Sequence, residues 1–382
     1  MSDFIYRCSQ CGREYEITPD RMVCEDCSAD QSPDEPLRGI LEVVNRRGVP
    51  ADWSIYDFLP VGREWFPPIP VGNTPLWEPA RLREQTGLAG LFLKDDSCNP
   101  TGSFKDRASA LVAAYARREG IDRIVLASTG NAGSSMCGVG AAAGLQVRLY
   151  LPAAAPPAKL VQSLQYGADV IRIEGTYDEA SAQAMAYIAE HGGLSRNTGH
   201  NPLTIEGKKT VSLEIFRQLG DRVPDYVFVS TGDGVILSGV YRGFEDLVTA
   251  GLADRMPTMV AVQAEGSCAI TRALRDGGFT APVPSRTVAD SISVDVPAAG
   301  YFAADRLRRH EGRAVTVTDD AILAAQTELA SGSGLFAEPA AAAAWAGVAA
   351  LRGELDADAT VVVLITGSGL KDIDSAKRAV GL

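Results

Sequence analysis

Short apolar runs and helical patterns alternate along most of this chain of 382 residues. The runs are rich in β-branched residues and often apolar on both faces, as in strands buried within a parallel sheet. We predict eight strands: Leu91–Lys94, Arg123–Ala127, Gln146–Leu151, Asp169–Ile173, Tyr226–Val229, Met259–Val262, Ala314–Val317 and Val361–Ile365. Helical patterns lie between them, for example over 179–190, 205–219 and 320–330, and this alternation predicts an α/β fold with helices on both sides of parallel sheets.

The charge balance and the cysteine content narrow the functional classes. The formal net charge is −12, which argues against nucleic acid or an anionic membrane as the main partner. The first residues lack the apolar segment of a signal peptide, and no apolar run reaches the roughly 18 residues that a membrane span needs. Seven cysteines in a chain of this size indicate the reducing cytoplasm rather than a disulfide framework.

Two C-x2-C pairs near the N-terminus predict a structural zinc site. Cys8 and Cys11 form the first pair, and Cys24 and Cys27 form the second. Four thiolates at this spacing suit tetrahedral zinc in a closed site, and the alternative is four reduced cysteines without metal. We therefore expect a zinc-ribbon-like segment over 1–35, a Pro-rich connecting arm over 36–70 and the main domain over 71–382.

The stretch Asn99–Arg107 reads NPTGSFKDR and carries one lysine, Lys105, at the start of an Ala-rich helical pattern. Ligands of parallel α/β sheets bind in the loops that enter helices, so this turn is a candidate site. A lysine that is held still and partly desolvated suits a Schiff base with an aldehyde. A single lysine in such a turn also fits a solvated helix cap, so the motif needs support from other loops.

Three further loops supply that support. Residues 128–134 (STGNAGS) offer N–H groups and hydroxyls for a carboxylate, 230–236 (STGDGVI) let the backbone approach a phosphate, and 366–372 (TGSGLKD) present a hydroxyl to a ring nitrogen. Each loop alone also fits a helix cap or an ordinary strand–turn–helix junction. Together with Lys105 they fit pyridoxal phosphate, which needs an amine, a phosphate cradle and a partner for its ring nitrogen.

The motifs and their order resemble those of threonine synthases. They read NPTGSFKDR, STGNAGSS, IEGKKT, TGDG, ADSISVDVP, GLFAEPAAAA and ITGSGLKD. More broadly, residues from about 70 to 382 are similar to fold-type II, tryptophan-synthase-β-like enzymes that depend on pyridoxal phosphate. The resemblance implies two parallel-sheet α/β subdomains with the cofactor between them, the smaller one at roughly 105–200, and a homodimer that acts on a small amino acid.

The resemblance also implies roles for single residues. Lys105 would hold the cofactor as an internal aldimine and then move protons on the substrate, with Phe104 beside it. Asn131 would bond the ring hydroxyl, and Thr366 would meet the pyridine nitrogen with a neutral hydroxyl, which steers the chemistry toward elimination and replacement. The residues expected at the cofactor phosphate are Gly232, Asp233, Gly234, Val235 and Ile236. The residues expected at the substrate are Ser128, Thr129, Ala132, Asn201 and Lys208.

One position departs from the family pattern. Threonine synthases of this type often read NSxNPxRxEGQKT, and Thr204 stands here where the arginine is expected. Arginine grips a phosphate through two parallel hydrogen bonds, which threonine cannot do. Lys208, Lys159 and Arg242 are the other candidates for a positive charge, and paired lysines such as Lys208 and Lys209 also fit a solvated helix face.

The leading hypothesis is a lyase that converts O-phosphohomoserine and water to threonine and phosphate. The Thr204 departure keeps open a paralogue that eliminates or replaces at the β-carbon of another amino acid, such as phosphoserine or a diamino acid. A non-catalytic, ligand-binding regulator with the same fold is a second alternative. A nucleotide-binding protein that uses the TGDG loop is a third, although it leaves Lys105 without a role.

Overall fold

The structure, a computed structural model, describes residues 3–154 and 157–382, and the side chains of these residues except 157–159. The chain divides into two compact units. Unit 1 comprises Met1–Asp30, Arg38–Gly72 and Asn99–Lys208, and unit 2 comprises Gln31–Leu37, Asn73–Cys98 and Lys209–Leu382. The domain boundaries expected from the sequence stay predictions.

Within the described ranges the chain forms thirteen strands: β1 (Phe4–Cys8), β2 (Glu14–Tyr15), β3 (Leu41–Asn45), β4 (Leu76–Trp77), β5 (Gly90–Asp95), β6 (Arg123–Ala127), β7 (Gln146–Pro152), β8 (Asp169–Ile173), β9 (Leu194–Ser195), β10 (Tyr226–Ser230), β11 (Thr258–Ala264), β12 (Arg313–Val317) and β13 (Thr360–Ile365). The eight strands predicted from the sequence are confirmed as β5–β8 and β10–β13. Strands β2, β4 and β9 are too short to show a pattern in the sequence.

The same ranges hold fourteen α-helices: α1 (Glu25–Ser28), α2 (Ala80–Thr86), α3 (Lys105–Arg118), α4 (Asn131–Ala143), α5 (Pro157–Gln165), α6 (Tyr177–His191), α7 (Leu203–Lys208), α8 (Thr210–Gln218), α9 (Val235–Thr249), α10 (Ala269–Asp276), α11 (Gly300–Arg309), α12 (Asp319–Ser333), α13 (Pro339–Leu351) and α14 (Ile373–Ala379). The helix expected over 205–219 is divided between α7 and α8, which meet at Lys209. None of the helices in the described part is long and apolar enough to cross a membrane.

Unit 1 contains a small antiparallel sheet and a parallel sheet. The antiparallel sheet has the order β2-β1-β3, and the parallel sheet has the order β8-β7-β6-β9. Strand β3 lies within 36–70, the range expected to form a connecting arm, and pairs with β1 along its full length from Phe4↔Asn45 to Cys8↔Leu41. The pairing supplies partners for the N–H and C=O groups along β1.

Unit 2 contains a six-stranded sheet with the order β12-β11-β10-β13-β5-β4. Its strands are parallel except for β4, which runs antiparallel to β5. Helix α13 packs on β10, β11 and β13, and the alanines 340–344 on it are almost wholly buried. Parallel strands joined through helices confirm the predicted α/β fold.

A buried ion pair holds the turn before β4 in unit 2. Lys94 Nζ donates to Glu214 Oε2 at 2.6 Å and to the carbonyl oxygen of Thr74 at 2.7 Å, and Lys94 is fully buried. Glu214 also accepts from the backbone N–H of Asn73 at 2.7 Å. The backbone of Asn73 has a positive φ of 49°, which residues other than glycine rarely adopt. These bonds therefore hold a backbone conformation that is locally unfavourable.

Replacement of Lys94 by methionine is expected to destabilise unit 2 strongly. The change leaves the Glu214 carboxylate buried without its cation, and removal of one partner from a buried pair costs about 3–5 kcal/mol. The measurement is the free energy of unfolding in denaturant. Lys377→Met is the control, because Lys377 pairs with Asp374 at the surface and its loss should change the free energy by no more than about 0.5 kcal/mol. Equal effects of the two substitutions would contradict this account.

Candidate active site and metal site

Lys105 is the first residue of α3 and is half-buried. The turn before it is fixed by Asp106, whose carboxylate accepts from the Thr101 N–H at 2.8 Å and from the Thr101 hydroxyl at 2.5 Å. Phe104 and Ser103 are fully buried, and the Ser103 hydroxyl has no hydrogen-bond partner among the described residues. An unsatisfied buried hydroxyl two residues before the lysine is consistent with a site built for a polar ligand.

The loop between β6 and α4 presents backbone N–H groups at the start of a 13-residue helix. The Ser128 hydroxyl accepts from the N–H groups of Gly130 at 3.2 Å and Gly133 at 3.0 Å, so this side chain closes the loop on itself. The other residues expected here are buried or half-buried: Thr129, Asn131 and Ala132. A helix N-terminus favours an anionic group, and the binding of a substrate carboxylate here stays a prediction.

Asn201, which is expected at the substrate, and Thr204 stabilise the loop after β9 through hydrogen bonds. Asn201 donates from Nδ2 to the Ser195 carbonyl at 2.6 Å and accepts at Oδ1 from the Leu203 N–H at 2.9 Å. Thr204, which replaces the family arginine, donates to the Asn201 carbonyl at 2.7 Å and accepts from the Gly199 N–H at 3.1 Å. The loop is therefore held by its own side chains.

The positive charges considered for this loop differ in their surroundings. Lys208 is fully buried, so it does not belong to a solvated helix face, and its Nζ donates to the Thr204 carbonyl at 2.8 Å. The side chain of Lys159 lies outside the described residues. Arg242 belongs to unit 2, where it pairs with Glu245 and Asp246 at 2.8 Å each.

Sequence reasoning missed Arg196 and Asn197, which join the loops of unit 1. The fully buried guanidinium of Arg196 donates to the hydroxyls of Ser109 on α3 and Thr198 in the loop. Ser109 in turn lies 2.7 Å from the Ser135 hydroxyl on α4. Asn197 accepts at Oδ1 from the N–H of Ala127, where β6 enters its loop. These residues match no motif, because their roles depend on partners that are distant in sequence.

In unit 2 the loop between β10 and α9 forms a cradle that requires glycine. Gly234 has a φ of +81°, which favours glycine. A Cβ on Gly232 would lie 2.7 Å from the Ile292 Cα, so no side chain fits there. The Asp233 carboxylate accepts from the Val235 N–H at 2.9 Å, while Ile236 follows in the buried first turn of α9. Close backbone approach at the start of a 15-residue helix suits a phosphate.

Thr366 follows β13 and is 7% exposed. The next residue, Gly367, lies against the buried Glu338, since an added Cβ would come within 2.4 Å of Glu338 Oε1. Glu338 does not cap α13 with its side chain. Unit 1 offers the Lys105 amine and N–H groups before α4, and unit 2 offers N–H groups before α9 and the Thr366 hydroxyl. These are the kinds of group that pyridoxal phosphate needs, so the residues present fit this cofactor.

The four N-terminal cysteines come together in unit 1. Their sulfur atoms all lie within 4.8 Å of one another, and the Cys8–Cys27 and Cys11–Cys24 pairs are 3.8 and 3.6 Å apart. Sulfurs arranged tetrahedrally at about 2.3 Å from a zinc ion lie about 3.8 Å apart. The Tyr15 hydroxyl donates to Cys24 Sγ at 3.0 Å, as groups around metal-bound thiolates do. The donor set therefore fits structural zinc.

Comparison with known proteins supports the assignment of the fold and the cofactor. A profile of the family described as pyridoxal-phosphate dependent enzyme matches residues 69–367. The threonine synthase of Methanosarcina acetivorans is 34% identical, over 96% of this chain and 92% of its own. That of Methanocaldococcus jannaschii is 32% identical, over 98% and 95%.

The solved structure of the processed form of threonine deaminase isoform 2 from Solanum lycopersicum has the same fold. Its TM-score is 0.70 at 23% identity, and the match covers 81% of this chain and 87% of that one. At this identity the likeness concerns the fold alone. The profile match and the two archaeal relatives carry the assignment further: the chain belongs to the fold-type II pyridoxal-phosphate-dependent enzymes, as a threonine synthase-like lyase, which confirms the resemblance seen in its motifs.

Proposed function

We propose that this enzyme is a threonine synthase, which removes phosphate from O-phosphohomoserine and adds water at the β-carbon. The observation that carries the proposal is the half-buried Lys105 at the start of α3, in a chain that is similar over nearly its whole length to threonine synthases. We further propose that it works in the cytoplasm as a homodimer. The cysteine content supports the compartment, and the family resemblance supports the dimer.

The proposed roles follow from the chemistry of each group. Bound pyridoxal phosphate supplies an electron sink that acidifies the C–H bonds of an amino acid. The Lys105 amine holds the cofactor and then takes the proton from the substrate Cα and returns protons along the side chain. The N–H groups of 128–132 bind the substrate carboxylate, with the Asn131 amide at the ring hydroxyl. The loop 232–236 binds the cofactor phosphate, and the Thr366 hydroxyl bonds the pyridine nitrogen.

The test of this proposal follows phosphate release and threonine formation together, with cofactor-loaded enzyme and O-phosphohomoserine. Equal amounts of the two products are expected. Lys105→Ala is expected to lower kcat by about 10²–10⁴-fold, because the group that moves the protons is lost. Lys377→Ala on the exposed face of α14 serves as the control and should keep full activity. Phosphate without threonine, or an active Lys105→Ala enzyme, would contradict the proposal.

A second candidate function is elimination or replacement on an amino acid with a different leaving group, such as a diamino acid. Thr204 favours it, because a threonine whose hydroxyl is bonded within its own loop offers no bidentate grip on a phosphate. The two functions can be distinguished by the substrate that the enzyme turns over. This candidate predicts no threonine from O-phosphohomoserine, and turnover of a β-substituted amino acid by the same enzyme.

Arg196→Lys is expected to weaken substrate binding more than catalysis. The lysine keeps the charge but cannot reach both Ser109 and Thr198, so the loop that carries Asn201 loses a hydrogen bond to a charged group, a loss of about 1.5–3 kcal/mol. KM should rise by about tenfold or more, while kcat and the visible absorbance of the cofactor stay close to those of the parent. The control is Arg309→Lys on α11, where the arginine is exposed. An unchanged KM would show that Arg196 does not position the loop.

A further inference from the structure

The four-cysteine site lies at the end of a sheet that packs on two helices of the candidate active site. Strand β1 ends at Cys8, and Cys24 donates its N–H at 2.8 Å to the carbonyl of Gly39, two residues before β3. A Cβ on Gly39 would lie 2.9 Å from the Cys24 Cβ and 3.1 Å from the Cys27 Cβ, so the second cysteine pair rests directly on this backbone. Strands β1 and β3 are therefore anchored at the proposed metal.

The same small sheet also packs on α7 and α3. Strand β3 contacts α7. This helix begins within residues 196–204, here called the substrate loop, and ends at Lys208. Apolar side chains of the sheet share one hydrophobic core with α3 and with the first residue of α7: Phe4, Tyr6, Leu41, Val43, Leu203 and the α3 residues 110–116. All of these residues belong to unit 1.

Tyr6 on β1 is one of the buried side chains of this shared core and is 2% exposed. The same core contains Tyr115 on α3 and Leu203, the first residue of α7. The helices themselves touch backbone to backbone, because a Cβ on Gly207 would lie 2.5 Å from the Arg107 carbonyl oxygen.

We propose that the four-cysteine segment is a positioning element of the active site: its bound metal holds β1 and β3 against α7 and thereby fixes the substrate loop 196–204. The contact path runs from the metal along β3 to α7, and from Gly207 on α7 to α3, which begins at Lys105. This role goes beyond a local zinc fold, because it makes the order of the substrate loop depend on metal. Lys105 depends on it less, since α3 is also packed along α4.

Hydrogen exchange of the cofactor-loaded enzyme, before and after zinc removal with EDTA, tests the proposal without substrate. About one zinc per chain is expected in the intact protein, with its loss in Cys24→Ser and its retention in Cys268→Ser. After removal, amides of 196–208 should exchange about tenfold faster, while those of β10 and α9 in unit 2 keep their rates. Unchanged exchange over 196–208, equal acceleration in both units, or a protein that binds no zinc would overturn the proposal.

A second variant keeps the metal site and perturbs only the core that the small sheet shares with α3 and α7. Tyr6→Leu retains all four cysteines. Tyr241→Leu removes an equally buried tyrosine of α9, whose hydroxyl has no hydrogen-bond partner in the part of the chain that the structure describes. Tyr6→Leu should accelerate exchange over 196–208 and raise KM for O-phosphohomoserine, with the cofactor absorbance unchanged, whereas Tyr241→Leu should do neither. Equal behaviour of the two variants would overturn the proposal. The KM readout rests on the proposed function, but the exchange readout does not, so the failure of one is distinguishable from the failure of the other.

Discussion

Burial of helix α3 determines where Lys105 lies. Every residue from Asp106 to Ala116 is buried, and α3 packs on α4 and α7. The absence of a side chain at Gly207 lets the α7 backbone meet the carbonyl of Arg107. A helix confined on several sides is a rigid support, so its first residue, Lys105, has a fixed place and is half-buried. The Thr101–Asp106 bonds shape the turn that leads to it.

The loops of unit 1 are held by side chains that also belong to their functional motifs. Ser128 closes the loop before α4, and Asn201 and Thr204 close the loop before α7. Arg196 links the second of these loops to α3. Such bonds order the backbone N–H groups before a ligand binds. Binding of an anion therefore carries a smaller entropic cost of ordering the loop. Backbone N–H groups thus carry much of the binding chemistry expected of these loops.

The sequence was sufficient to predict those elements that are determined by residues close together in the chain. Strands β5–β8 and β10–β13 are long enough to show their apolar pattern, and Lys105 was found because its turn chemistry is unusual for a solvated lysine. Strand β3 was not predicted, because it depends on pairing with β1 more than thirty residues away. Arg196 was missed for the same reason, since Ser109 is distant in the chain. Burial of Lys208 likewise depends on tertiary packing, and paired lysines usually face water.

The central claim is that Lys105, and no other lysine, carries the cofactor. Borohydride reduction of the cofactor-loaded enzyme fixes the cofactor permanently to the lysine that holds it, and mass spectrometry of the peptides then identifies that residue. The account predicts that the label is found only on the peptide that contains Lys105. A label on Lys208 or another buried lysine, with Lys105 unmodified, would contradict it.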